Sequence, residues 1–170
     1  ILESTRIRGR ARPSAAGVVA CDDGRPLRGR VAYMAQRDLL LPWLSVRENV
    51  LLGRRLRGEA IDAPARARAD ALIEAVGLQD AAGLRPDALS GGMRQRAALA
   101  RTLFEDRPVV LMDEPFSAVD AITRVRLQDL AATLLRGRTV LLVTHDPLEA
   151  LRLGHRIFVM AGRPARLGEP

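Results

Sequence analysis

Leu89-Ser90-Gly91-Gly92-Met93-Arg94-Gln95-Arg96, followed downstream by Val109-Val110-Leu111-Met112-Asp113-Glu114, is the pair of segments that decides the fold of this chain. A Ser-Gly-Gly turn opening a helix exposes backbone N–H groups that no side chain blocks, and a helix N-terminus favours an anion. From Ser90 to Phe104, Met93, Ala97, Leu99, Ala100 and Leu103 recur at helical spacing. Val109–Met112 is an apolar run of strand length that ends in two carboxylates, a way to hold a magnesium ion beside an activated water.

Outward from that pair the chain alternates strand and helix patterns. Val109–Met112 and Thr139–Val143 are continuous apolar runs, as expected for strands buried on both faces of a parallel sheet. Ile122–Leu135 carries helical spacing between them, so strand, crossover helix and strand form a right-handed unit. Upstream, Gly17–Cys21 is a short apolar run, Asp22-Asp23-Gly24 signals a turn, and Val31–Ala35 reads as a second short strand closed by Gln36. Ser45 with Glu48 makes a capping box for a helix running to about Arg57 and ending at Gly58. Residues 62–88, with Asp62 as cap, Pro64 in the first turn and Gly77 as stop, predict an independent helical subdomain. Ile157–Met160 reads as a final strand, with Gly162-Arg163-Pro164 turning the tail back, and residues 1–16 show no clean period.

Composition narrows the function classes. The chain has 170 residues, 48% hydrophobic, with mean hydropathy near zero, which suits one globular domain. No apolar run reaches membrane-span length, and the start has no apolar core of signal-peptide length. Cys21 is the single cysteine, so a reducing compartment is expected. The net charge of +7 invites a nucleic-acid reading, yet all 27 basic residues are arginine, dispersed among acids, and aromatics are only 3%. Stacking platforms for bases are therefore scarce, and no nucleic-acid partner is expected.

Leu-Ser-Gly-Gly at 89–92 and the apolar run into Asp113-Glu114 resemble the signature and Walker B motifs of ATP-binding cassette (ABC) ATPases. The resemblance runs from about Ala16 to Pro170 and implies an α/β fold, a P-loop NTPase-like parallel sheet flanked by helices, with a helical subdomain and a small antiparallel β part. It divides residues 1–170 into a partial N-terminal β region (1–38), a helical subdomain with the signature (39–104) and the Walker B to switch-histidine core (105–170). A Walker A loop needs a lysine, and this chain has none, so the first strand and phosphate loop are expected to be missing and the chain to be N-terminally truncated.

What the resemblance implies residue by residue is a catalytic site. Glu114 becomes the general base, His145 the switch histidine that orients the attacking water, and Gln36 the sensor of metal and water. Asp113, with Gln36, would hold Mg²⁺. Ser90, Gly91 and Gly92, with Gln95, close over ATP held by the opposing subunit, and Asp120 lies in a Ser117-Ala118-Val119-Asp120 D-loop whose usual leucine is Val119. Plainer readings stand beside these. An acidic pair at a strand end can cap a helix, a lone histidine or glutamine there can be a surface residue, Asp120 can simply cap the following helix, and Gln95 can position its own helix. Trp43, in Leu39-Leu40-Leu41-Pro42-Trp43, is either a docking residue or core.

Leu-Pro-Trp after Gln36 and Gly-Arg-Pro-Ala near the end resemble the nitrate, sulfonate, taurine and pyrimidine-precursor importers. The expected function is thus the ATP-binding and ATP-hydrolysing subunit of an ABC importer, cytoplasmic and peripheral on the inner face of the membrane. Its expected partners are a second ATPase subunit forming a homodimer with it, transmembrane permease subunits and, indirectly, a solute-binding protein. The alternatives are a catalytically inactive cassette acting only as a docking module, and a soluble non-transport cassette ATPase. The 170 residues by themselves are expected to be inactive.

Overall fold

Val31–Met34 (β1), Val109–Asp113 (β2) and Thr139–Val143 (β3) pair in parallel, in the order β1-β2-β3. The computed structural model describes residues 21–163 and 165–168. Register sets Ala32 beside Val110 and Val140, and Met34 beside Met112 and Leu142. Because side chains alternate across a strand, these residues share one face. Ala32, Met34, Val110 and Met112 on it are 1–3% exposed. Helices bury this face. Leu99 and Leu103 of α4 (Gly91–Phe104), with Leu127 and Ala131 of α5 (Ala121–Leu134), join the same cluster.

The expected burial of both faces is corrected by the structure. Tyr33 and Leu141, which flank Leu111 on the opposite face, are 59% and 47% exposed, and β3 is an edge strand whose Val140 is 40% exposed. Continuous apolar runs record how a strand is buried in its whole environment, and here the described helices cover one side only.

The capping box at Ser45 forms: its hydroxyl accepts from Glu48 N at 3.2 Å and its own N–H donates to Glu48 Oε2 at 2.8 Å. The single helix expected to Arg57 is instead two short ones, α1 (Val46–Val50) and α2 (Leu52–Leu56), separated at Leu51. Gly58 then takes φ +69°, a conformation open to glycine. Asp62 caps α3 (Ala63–Ala75) through Ala65 N, and Gly77 at φ +68° ends it, with Leu78 N donating back to Ile73 O. Residues 62–88 do not form a core of their own. Ala69, Ile73 and Val76 belong to one buried cluster with the sheet, because α3 packs on α4 and α4 packs on β1.

The final strand is also corrected. Ile157–Val159 is not a strand; β4 (Met160–Ala161) pairs antiparallel with β5 (Arg166–Leu167) in a separate two-stranded piece. Phe158 and Val159 are 45% and 65% exposed, so this apolar run lacks the covering that would hold it to the sheet. Asp22-Asp23-Gly24 does turn, with Gly24 N donating to Cys21 O at 3.0 Å. The readings at residues 1–16, at 17–20 and at Pro164 lie outside the described residues.

Asn49 carries the sharpest local energetics. It is fully buried in α1, accepts from Leu41 N at 2.8 Å, and donates from Nδ2 to the carbonyls of Leu41, Leu44 and Ser45. One side chain thereby closes the 41–45 loop. Asn49→Ala strands buried backbone groups, so unfolding stability should fall by about 2–3 kcal/mol in a urea titration. An unchanged midpoint would mean that the loop supports itself.

Candidate active site at the carboxyl edge of the sheet

β2 delivers Asp113 and then turns sharply. Glu114 adopts φ +49°, a left-handed conformation that bulky L residues rarely take, while its N–H still donates to Val143 O at 2.9 Å. Strain of this kind persists only where the surroundings enforce it, and buried Phe116 with buried Pro115 anchor the turn from below. The twist aims the Glu114 carboxylate at the end of β3. There Oε2 lies 2.7 Å from Nδ1 of His145, with the histidine side chain 78% exposed and the glutamate 13% exposed. Hydrogen bonding and charge from Glu114 hold the His145 imidazolium above the ordinary histidine value. Both residues line a cleft of about 290 Å³, together with Ser117, Arg124 and Glu149.

Asp113 is partly exposed at the same edge, in register with Val143. Gln36 emerges two residues beyond Met34, which pairs with Met112, so it leaves the sheet beside the acidic pair and is exposed. Among the described residues no group of three or more His, Cys, Asp or Glu could cage a metal. One carboxylate and one amide fit an ion that keeps most of its own water and leans on substrate phosphates, which is the habit of Mg²⁺.

The glycine turn sits at the start of α4. Ser90 caps it, accepting from Met93 N at 3.2 Å. A Cβ on Gly92 would come within 3.1 Å of Ala118 O, so the backbone after β2 crowds any side chain there. Gly91 is exposed, and a Cβ on it would meet only the end of the Arg94 side chain at 3.9 Å. Gln95 is 5% exposed; its Nε2 donates to Glu114 O at 2.8 Å and its Oε1 accepts from Ala118 N at 2.6 Å. Its surroundings are those of a brace between α4 and the turn after β2. Asp120 caps α5, accepting from Thr123 N at 3.0 Å, and that bond holds its carboxyl below the usual carboxylate range.

The loop after Gln36 shows what sequence reasoning missed. Arg101 donates to the carbonyls of Asp38 and Leu39 at 2.6 and 2.7 Å, and Arg94 Nε reaches Asp38 Oδ2 at 3.2 Å. Two arginines of α4 therefore hold this loop. Nothing distinguished them beforehand among 27 arginines. The reading of Trp43 as core is corrected: it is 64% exposed, while neighbouring Leu40 and Leu44, at 8%, are the buried members of the segment.

Comparison with known proteins places this geometry. The family model described as ABC transporter matches residues 4–117. A taurine import ATP-binding protein of Jannaschia sp. is 48% identical over 134 residues, covering 78% of this chain and 50% of the relative. An aliphatic sulfonates import ATP-binding protein of Xanthomonas axonopodis pv. citri is 45% identical over 157 residues, covering 89% of the chain and 62% of the relative. Among solved structures, a dimeric ATP-binding cassette in a post-hydrolysis state, bound to ADP and Pi, superposes with a TM-score of 0.67. It is 33% identical over 72% of this chain and 55% of its own. The chain spans about half to three-fifths of the length of these proteins.

The contact between His145 and Glu114 has a pH consequence. A histidine whose folded pKa is raised contributes stability below its unfolded value, and that contribution is lost as pH rises through the folded value. The His145 ring protons, followed by NMR, should titrate above the ordinary midpoint, and Glu114→Gln should return them toward it. An identical midpoint in the variant would show that the two side chains do not meet in solution.

Proposed function

The chain belongs to the ABC transporter family, and from that premise we propose that it forms part of the ATP-binding and ATP-hydrolysing subunit of an importer. One observation carries the catalytic half of this reading. The Glu114 carboxylate and the His145 imidazole meet at 2.7 Å where β2 and β3 end, beside Asp113. In this arrangement Glu114 accepts a proton from the attacking water as general base. His145 holds that carboxylate in place through Nδ1, and its exposed edge is free to donate to the departing phosphoryl oxygens. Asp113 and Gln36 would hold Mg²⁺ largely through water, and the ion supplies neutralisation of the triphosphate charge.

A second cassette, most simply a copy of this chain, completes the site. The exposed Ser90-Gly91 turn at the N-terminus of α4 offers backbone N–H groups to an anion, and among the described residues no atom requires glycine at Gly91. The similar solved cassette is itself dimeric. The relatives' names support taurine or aliphatic sulfonates as the class of imported solute. Permease subunits, an indirectly acting solute-binding protein and a position on the inner face of the membrane follow from that reading. No helix among the described residues is long and apolar enough to cross a membrane.

The permease contact falls on the loop after Gln36. Leu39 and Trp43 are 56% and 64% exposed on the segment whose Leu41 and Leu44 backbone groups the buried Asn49 holds. Exposed apolar loops of this kind mark interaction sites, and aromatic residues are frequent anchors in them.

Glu114→Gln, made in a protein carrying a phosphate loop upstream of residue 1, should leave ATP binding intact and slow Mg²⁺-dependent hydrolysis roughly 10²–10⁴-fold. The 170 residues alone should show negligible turnover. Unaltered hydrolysis in the variant would leave Glu114 as a structural cap and the base unassigned.

Trp43→Ala should weaken pull-down of the permease subunit and leave the circular dichroism spectrum and melting midpoint of the cassette unchanged. Loss of the fold, or undiminished pull-down, would remove Trp43 from the interface.

A further inference from the structure

We infer that Arg124 and Glu149 form a positioning pair that sets the loop carrying His145 against Glu114. The inference rests on the ATPase reading of this site and adds to it two residues that have no role there. His145 is 78% exposed, and its side chain has one ion-pair contact, with Glu114. Its place must therefore come from its neighbours in sequence. Thr144, on one side, donates from Oγ1 to Glu149 Oε2 at 2.8 Å, and the same oxygen accepts from Asp146 N at 3.0 Å. Asp146, on the other side, places Oδ2 3.6 Å from Arg124 Nη1. Each neighbour of the histidine is thus anchored by one member of the pair.

Two further observations set both members at one cleft. Glu149 is 4% exposed, and its Oε1 is buried without a hydrogen bond; Arg124 Nε is also buried without one. Both residues line one cleft, the same cleft that Glu114 and His145 line. Burial drives the Glu149 carboxyl above the usual range, while the Arg124 cation opposes that shift. The Arg124 side chain is 33% exposed and acts on that carboxyl across the cleft, so the two residues are joined through the 144–146 loop rather than by a direct ion pair.

Arg124 also reaches the D-loop. Its Nη2 donates to Val119 O at 3.0 Å, and its backbone N–H donates to Asp120 O at 2.8 Å in the first turn of α5. One guanidinium therefore holds the D-loop backbone and the switch loop together. Movement of the D-loop in an assembling dimer would shift His145 through this residue.

The test is made in the phosphate-loop-bearing protein with Arg124→Ala, Arg124→Lys, Glu149→Ala and Glu149→Gln. Arg124→Ala and Glu149→Ala should each lower kcat about 10- to 100-fold with little change in KM for ATP, the scale of a misplaced catalytic group. Glu149→Gln keeps an acceptor for Thr144 and should recover much of the loss. The double alanine variant should be no slower than the worse single variant, since both break one unit.

A second readout does not need activity. The charged groups facing His145 are Glu114, Asp146 and Glu149, with Arg124 behind Asp146. Removing a cation acts through space to raise the His145 midpoint. Loss of the Glu114 contact lowers it. A fall in the NMR midpoint on Arg124→Ala thus reports displacement rather than charge, and an unchanged or raised midpoint overturns the inference. So do wild-type kcat in Arg124→Ala, additive losses in the double variant, or kcat and KM worsening together with a lowered melting midpoint. Should the unsubstituted protein fail to hydrolyse ATP, the ATPase reading fails and the midpoint alone decides the pair.

Discussion

A single buried amide holds this site together. Gln95 has no exposed polar atom to spare, with one end of its side chain on Glu114 O and the other on Ala118 N. It is thereby committed to the backbone on both sides of the turn after β2. Because the amide is buried, its groups cannot fall back on water, and breaking either bond leaves an uncompensated partner. The left-handed turn at Glu114, the approach of Gly92 to Ala118 and the cap at Ser90 all depend on that spacing. Helix α4 is the hub. Its first turns grip the loop after β2, and Arg94 with Arg101 grip the loop after β1. The carboxyl edge of the sheet and the start of α4 are one mechanical piece.

The arginine-only chemistry follows the same logic. The fork of a guanidinium can span two carbonyls, and an ammonium on a flexible stem does so poorly. Arg96 caps the end of α3 by donating to both Val76 O and Gly77 O, Arg101 spans Asp38 O and Leu39 O, and Arg124 holds Val119 O. A charge of +7 is here partly a set of backbone clamps at helix ends and loops rather than a surface for a polyanion.

Local chemistry was legible where it is local. The capping box at Ser45, the cap at Asp62, the stop at Gly77 and the turn at Gly24 each rest on residues within a few positions of one another, and each formed. The parallel strands were legible in their apolar runs to within a residue at each end. What failed depended on distant partners. Burial of both sheet faces, independence of residues 62–88 and pairing of Ile157–Met160 are all decided by what lies against a segment, which periodicity does not record. Within the site, Asp113, Glu114, His145 and Gln36 all stand at or just beyond strand ends, where the resemblance of their motifs singled them out. Glu149 was not, since a glutamate early in a short helix looks like any solvated residue, and only its 4% exposure sets it apart.

The positive φ of Glu114 bears on which residues this position can accept. Glycine occupies this backbone region without cost, and asparagine visits it more readily than glutamate does. Substitution by either would relax the turn but would also remove the 2.7 Å contact with His145, which only the carboxylate makes. Retention of the glutamate in a lineage therefore reports selection on that carboxylate rather than on the ease of the backbone turn.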